Sequence, residues 1–319
     1  MRSLFGKKSA GSTVVVLDVQ SSSVGGALVR LTPGQLPRVF LQHREHDPVP
    51  ERLGSDTLLK QTLRLSENVL LHTSEAASRL RHSGKDVASF GDINRVVVLL
   101  NAPWAHIQIT SRTEHTAGAP KTLTDTIRRQ CQAIFGDRVP VSFQAFATAA
   151  SGAFAGFSQE TLFALITGEV TELVVARDQA LLARATFPVG INTVLRTLQS
   201  HAGFAPEEGH SALRLFAYGE EEPFSSAAQH FTKQFSHTVR DVLNHAPARD
   251  IVVVAMEPYG EWHARALAAD PSIGLLFEEG GIVRALRPMH LKDQVLFHAA
   301  KPDLFLTIGA LYAGSSNTV

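Results

Sequence analysis

The apolar residues of this chain fall into short blocks separated by turn residues, with stretches of helical spacing between the blocks. Val14–Asp18 (VVVLD) is a compact aliphatic run and predicts a buried strand. The SSSVGG that follows predicts a turn, ALVRL a second strand, PGQLP a break and RVFLQHR a third strand, an antiparallel meander with tight turns. From Thr57 to Arg81 the period changes. Leu58, Leu59, Leu63, Leu65, Val69, Leu70 and Leu80 recur near helical spacing, and Gly84 stands where a helix stop belongs. Asn94–Asn101 predicts another buried strand, Ala102-Pro103-Trp104 its loop, and His106–Arg112 an alternating strand. A helix is expected over Thr122–Phe135 with Thr124 as its cap, then a strand over Val139–Phe143 and a small-residue helix over Gln144–Phe157.

The opening order then returns. Leu162–Thr167 predicts a strand, Gly168-Glu169 a turn, Leu173–Ala176 a strand, Asp178-Gln179 a turn, Ala180–Phe187 a third strand and Asn192–His201 a helix. Further on, a helix is expected near Ser225–Asn244, a strand at Ile251–Ala255, a helix at Glu261–Ala269 and a closing helix at Ile308–Gly314. The repeat lies in order and turn placement, not in identity, and it predicts two α/β halves with a cleft between them. The expected division is 1–158 and 159–319. Residues 106–135 and 206–247 are candidate inserts, and the closing helix, 305–314, is expected to pack back on the first half.

Composition narrows function more than fold. The 319 residues suffice for a large core without a disulfide or metal staple. Thirty basic residues balance thirty acidic ones at a charged fraction of 19%, which argues against a nucleic-acid-binding surface and against disorder. The single cysteine, Cys131, excludes a disulfide framework and a Cys-rich zinc site, reads as a small buried hydrophobe, and suits a reducing cytoplasm. No apolar run approaches the roughly 20 residues of a spanning helix. The basic N-terminus lacks the apolar segment of a signal peptide, and the tail carries no basic amphipathic helix, so direct membrane insertion is not expected.

Several candidate chemistries fall away. Neither a P-loop nor a G-x-S-x-G elbow occurs. His43, His46 and Asp47 could ligate a metal, but on a strand the two histidines would face opposite sides, and the segment reads as a solvated loop. Glu220–Glu222 reads the same way. The positive candidate is the first turn. Asp18 closes a buried strand and is followed by Gln20, Ser21, Ser22 and Ser23. Backbone N–H groups and hydroxyls of such a hairpin converge on an anion, and a strand-end carboxylate can hold hydrated magnesium. Thr167-Gly168-Glu169-Val170-Thr171 has the same placement in the second half, and two facing hairpins can clamp a polyphosphate.

LFGKKSAGSTVVVLDVQSSSVGGALVRL resembles the opening of the type IV pilus assembly family PilM. LITGEVTELVVARDQALLARATFPVGINTVLRTL resembles that family's second phosphate hairpin, with Phe187-Pro188-Val189-Gly190 in the place of its Pro-Val-Gly-Gly segment. VSFQAFATAASG resembles the connecting helix of actin, which puts Gln144 where a glutamine orients the attacking water, and FLTIGALYAG at Phe305–Gly314 resembles the family's closing helix. The resemblance implies duplicated actin-like (ribonuclease-H-like) halves, mixed sheets with flanking helices around a central cleft. It also implies ATP held through Asp18, Gln20, Ser21, Ser22, Ser23, Thr167, Gly168, Glu169, Thr171 and Gly260, with Asp18 reaching the magnesium of Mg-ATP.

Three departures qualify that implication. Gln20 replaces a glycine, Leu165 replaces the aspartate that contacts metal-bound water, and Gly260 stands alone where the adenosine loop usually has a Gly-Gly pair. A leucine can neither hold magnesium nor polarise water, so the chain resembles a degenerate ATPase in which hydrolysis is not expected and ATP binding is an open question. The implied role is a cytoplasmic scaffold of the inner-membrane platform of a type IV pilus or related secretion system, peripheral to the membrane through its partners. Those partners would be the short cytoplasmic N-terminal tail of a single-span, PilN-like inner-membrane protein and a hexameric motor ATPase. Two other readings stand beside it: an FtsA-like division tether, against which the SSNTV tail speaks, and a small-molecule kinase, against which Leu165 counts.

Overall fold

The computed structural model describes residues 11–47, 53–82, 92–110, 113–117, 119–153, 160–203, 205–215, 224–277, 281–298 and 301–316. Three strands open the chain as an antiparallel meander: β1 (Ser12–Val19), β2 (Ser23–Leu31) and β3 (Arg38–His46). Helix α1 (Ser55–His82) crosses over to β4 (Ile93–Leu100), which pairs with β1 in parallel. A separate hairpin, β5 (His106–Thr110) and β6 (Thr113–Ala117), precedes α2 (Lys121–Phe135). Strand β7 (Val141–Ala145) then lies parallel to β4 and leads into α3 (Phe146–Ala153).

The second half repeats the meander with β8 (Thr161–Ile166), β9 (Thr171–Arg177) and β10 (Ala180–Phe187). Helices α4 (Ile191–Ala202), α5 (Pro206–Leu215) and α6 (Phe224–His245) lead to β11 (Asp250–Val254), parallel to β8. Helices α7 (Tyr259–Ala269) and α8 (Pro271–Gly274) precede the edge strand β12 (Val283–Ala285). The chain then returns through a 3-10 turn at Pro288–Leu291 to β13 (Leu296–Phe297), which adds to β3, and α9 (Leu304–Ser315). The two main sheets run β13-β3-β2-β1-β4-β7 and β10-β9-β8-β11-β12. Both are mixed: antiparallel in the meander and parallel where a helix crosses over.

Period-2 alternation in β8 decides how the halves meet. Phe163 and Leu165 join the core that holds β1, β4, α1, α2, α3 and α9. Leu162, Ala164 and Ile166 face a second core, where Phe187, Phe231 and Phe235 gather under α4, α6 and α7. The second sheet is therefore covered on both faces, once by its own helices and once by the first half.

Several boundaries differ from the sequence expectations. Gly25 and Gly26 belong to β2 rather than to a turn, paired with Asp18 and Leu17 of β1, and neighbours leave no room for side chains there. A Cβ on Gly25 would lie 2.7 Å from the Arg44 guanidinium, and one on Gly26 would lie 2.6 Å from Val69 Cγ1. Gln144 lies on β7, in register with Leu99, not on the helix that follows. Thr124 caps nothing: α2 begins after Pro120, and the Thr124 hydroxyl donates to the Lys121 carbonyl inside the first turn. His43 and His46 sit on β3 rather than in a loop. His43 stacks on His72 of α1 at 3.9 Å, and Asp47 pairs with Arg64. Helix α5 and the short elements α8, β6, β12 and β13 carry too little periodicity to announce themselves. The FGKK segment, Gly84, Phe157 and Glu220–Glu222 lie outside the described residues.

Among the described residues no three His, Cys, Asp or Glu side chains gather as a metal site, and no helix is long and apolar enough to cross a membrane.

Candidate functional site

The two hairpins singled out in the sequence meet face to face. The first turn, between β1 and β2, is closed by the Gln20 amide donating to the Ser23 carbonyl at 3.0 Å. Asp18, Gln20, Ser21, Ser22 and Ser23 are all buried. The second turn, between β8 and β9, is closed by the Thr167 amide and hydroxyl, which both donate to the Val170 carbonyl, at 3.0 and 2.8 Å.

Both oxygens of Asp18 accept from neighbouring side chains. Its carboxylate accepts from Arg44 at 2.8 Å, Gln20 Nε2 at 2.9 Å and Asn101 Nδ2 at 2.7 Å. Arg44 reaches across from β3 and also binds Asp303, with Nε at 2.6 Å and Nη2 at 3.1 Å. Asp303 is the N-cap of α9, accepting from the Leu306 amide at 3.0 Å. One guanidinium thus serves two carboxylates, Asp18 fully buried and Asp303 partly so. Burial pushes the Asp18 carboxyl up, and the Asp303 charge adds to that, against the pull of Arg44. Burial also acts upward on Asp303, but Arg44 and the Leu306 amide outweigh it and hold that carboxyl below the ordinary range. The two carboxylates hold Arg44 above its ordinary value despite its burial.

The second hairpin is equally committed. Glu169 forms a bidentate pair with Arg196, at 2.9 and 2.7 Å, and accepts from Asn192 Nδ2 at 2.8 Å. The carbonyls of Thr167 and Gly168 accept the first amides of α4, from Ile191 at 2.9 Å and Asn192 at 2.8 Å. The Thr171 hydroxyl donates to the Val189 carbonyl at 2.6 Å.

Between the hairpins, the Glu169 amide donates to Ser21 Oγ at 2.9 Å, and a Cβ placed on Gly168 would run into Ser22 Oγ. Trp104 seals the side, donating from Nε1 to the Gln20 carbonyl at 3.0 Å. Leu165 is in the core, as a leucine at that place must be.

Sequence reasoning thus named residues that the fold brings together in Asp18, Gln20–Ser23 and Thr167–Glu169. Thr171 lies behind the second turn. Gly260 stands apart in the first turn of α7, where a Cβ would lie 3.6 Å from the Ala255 carbonyl and from Ala285 Cβ, an ordinary contact rather than a cradle. Gln144 is half-buried on β7. Reasoning from sequence missed Arg44, Asn101, Trp104, Asn192, Arg196 and Asp303. Only Asp303 carried a visible signal, an aspartate just ahead of the apolar LFLTIG run.

Mg-ATP, the group that the resemblance implies, can be tested against this geometry. A phosphate between the hairpins would need the Glu169 amide, which Ser21 already holds, and the space beside Gly168, which Ser22 fills. The Oδ1 of Asn101, buried without a hydrogen-bond partner, is an acceptor and offers nothing to a phosphate oxygen. Both Asp18 oxygens already accept from protein donors. The residues as placed do not fit the nucleotide.

No protein-family model matches the chain. Nor does any curated protein. Solved structures do. A PilM–PilN type IV pilus biogenesis complex superposes with a TM-score of 0.65 at 10% identity, over 94% of this chain and 98% of that one. The ethanolamine utilization protein EutJ from Carboxydothermus hydrogenoformans gives a TM-score of 0.50 at 12% identity, over 94% and 88%. A Bacteroides thetaiotaomicron protein of actin-like ATPase fold and unknown function gives 0.44 at 9% identity, over 98% and 99%. At such identities the likeness speaks for fold alone, and the likeness to the PilM–PilN structure agrees with the two meanders, the crossover helices and the facing hairpins: the chain has the duplicated actin-like fold.

Proposed function

We propose that this protein is a scaffold of a type IV pilus or related secretion platform, which binds the short cytoplasmic tail of a single-span membrane protein rather than turning over ATP. The observation that carries the reading is the state of the cleft. The fold is complete, yet Asp18, Gln20, Ser21 and Glu169 of the hairpins are each bonded to another protein group. A kinase or ATPase needs a carboxylate near the reacting phosphate. By the resemblance Leu165 takes that place, and it is buried in the core. A scaffold needs only the fold. The overlap with the PilM–PilN complex, nearly end to end in both chains, supports a partner of the same kind.

The test is capture of partners from detergent-solubilised membranes with the purified chain as bait, read by mass spectrometry. The reading expects a single-span protein with a short cytoplasmic tail, displaced by a synthetic peptide of that tail, and a hexameric motor ATPase. A tubulin-like division protein, or no membrane protein at all, would overturn it.

A further inference from the structure

The hairpins do more than exclude a ligand. Each contributes groups that fit the other, and those groups lie in different halves of the chain. Ser21 Oγ accepts from the Glu169 amide across a separation of 148 residues, and Ser22 nests against Gly168. Gly168 is required there, since any side chain would meet Ser22 first and Asn192 Nδ2, at 3.2 Å, next. Each turn is also anchored from behind. Arg44 and Asn101 hold the strand end under the first, and Arg196 and Asn192 hold Glu169 over the second. A second tie joins the halves at the same level: Arg184 Nη2 of β10 donates to the Ala105 carbonyl, in the loop after β4, at 3.0 Å.

We propose that Ser21, Ser22, Gly168 and Glu169 form a permanent latch between the halves, which holds the closed arrangement without a nucleotide. In a nucleotide-gated relative of this fold, a polyphosphate would have to bridge the two hairpins. Here protein groups make the bridge themselves. The closed state therefore depends on sequence, not on Mg-ATP, and partner binding does not respond to nucleotide. The latch stands apart from the identity of the partner: a failed capture experiment leaves it intact, and a nucleotide-gated scaffold would satisfy the capture experiment while contradicting the latch.

Hydrogen exchange of the full chain, followed by mass spectrometry, reads it directly. In the native protein the amide of Glu169 should be protected equally with and without saturating Mg-ATP, and calorimetry should show no saturable binding. Ser21→Ala removes the acceptor and should speed exchange at that amide by about fivefold to tenfold. Gly168→Ala should loosen residues 20–23 and 167–169 together while β1 and β8 stay protected. If that variant does not fold, Ser21→Ala carries the test alone. Saturable Mg-ATP binding near 1 mM or tighter (about −4 kcal/mol), with added protection at both turns, overturns the latch. So does Ser21→Ala exchanging like the native protein.

Discussion

Arg44 is the residue on which the closed site turns. Burying a charge is costly, and breaking a buried pair by removing one partner costs about 3–5 kcal/mol because the other charge stays behind uncompensated. Arg44→Met strands two carboxylates at once, so a loss at or above the upper end of that range is expected in urea unfolding at neutral pH. The pH dependence gives the cause. Without Arg44, burial, the largest influence on both Asp18 and Asp303, raises both carboxyls. A raised folded pKa gives stability that is greatest at low pH and falls as pH rises, so the variant should recover part of its deficit as pH falls from neutral toward the ordinary carboxylate value of about 3.9. In the native chain Asp303 is held low, so its contribution is present above the ordinary carboxylate value of about 3.9 and is lost only as pH falls below it.

His263 behaves in the opposite sense to the Arg44 variant. It is fully buried, donates from Nδ1 to the Tyr259 carbonyl at 2.8 Å, and burial lowers its pKa to about 3. The neutral form is favoured in the folded state. Stability from this group is therefore present above about pH 6.5 and lost as pH falls toward its folded value. His263→Leu should flatten the stability profile between about pH 6 and pH 4 in the same titration. Neither residue announced its role. Arg44 and His263 are single polar letters in the sequence; burial gives His263 its chemistry, and Arg44 owes its own to Asp303, far along the chain.

At the scale of elements, glycines separate packing from propensity. Gly309 lies in α9 where the helix crosses β1. A Cβ there would be 2.6 Å from Val16 Cγ1 and 3.0 Å from Leu99 Cδ1. Helix propensity alone would make Gly309→Ala stabilising by about 1 kcal/mol. Overpacking against a stiff β-branched side chain costs about 1–3 kcal/mol, so a net loss is expected in chemical denaturation. Gly260, in the first turn of α7, is the control. Its ordinary 3.6 Å contacts leave room for a methyl, so Gly260→Ala should be neutral or stabilising by up to about 1 kcal/mol. Most long elements were legible, since α1, α2, α6 and the two meanders show strong periodicity. The exact start of β2, the place of Gln144 and the existence of β12 and β13 were not. Those depend on which neighbour a strand edge finds, and a local window holds no record of it.

For the whole molecule, the first core matters most. Phe163, Leu165, Val174, Val252 and Val254 of the second sheet are buried in it beside Leu17, Val98 and Phe305. Neither half can lose its structure without exposing apolar surface of the other. Trp104 lies in the first half and Trp262 in the second, both buried. The variants Trp104→Phe and Trp262→Phe therefore each leave a reporter in the other half. Within each variant, the fluorescence transition should coincide with the circular-dichroism transition as a single event. A first transition confined to one reporter would mean that the halves unfold separately.

The sequence by itself determined the order of the long strands and helices, the repeat of the meander and the placement of the two turns. These are consequences of local period, turn chemistry and residue type. It also placed a leucine where the resemblance expects an acid. Only the tertiary structure decided what the turns do. Whether Ser21 and Ser22 face a phosphate or the backbone of Gly168 and Glu169 depends on the distance between two hairpins 148 residues apart. Whether Asp18 is free or spent depends on Arg44 and on Asp303, 259 residues beyond that arginine. Such contacts are set by how two sheets pack across a shared core, and the same short motif can serve a ligand or a latch according to that packing.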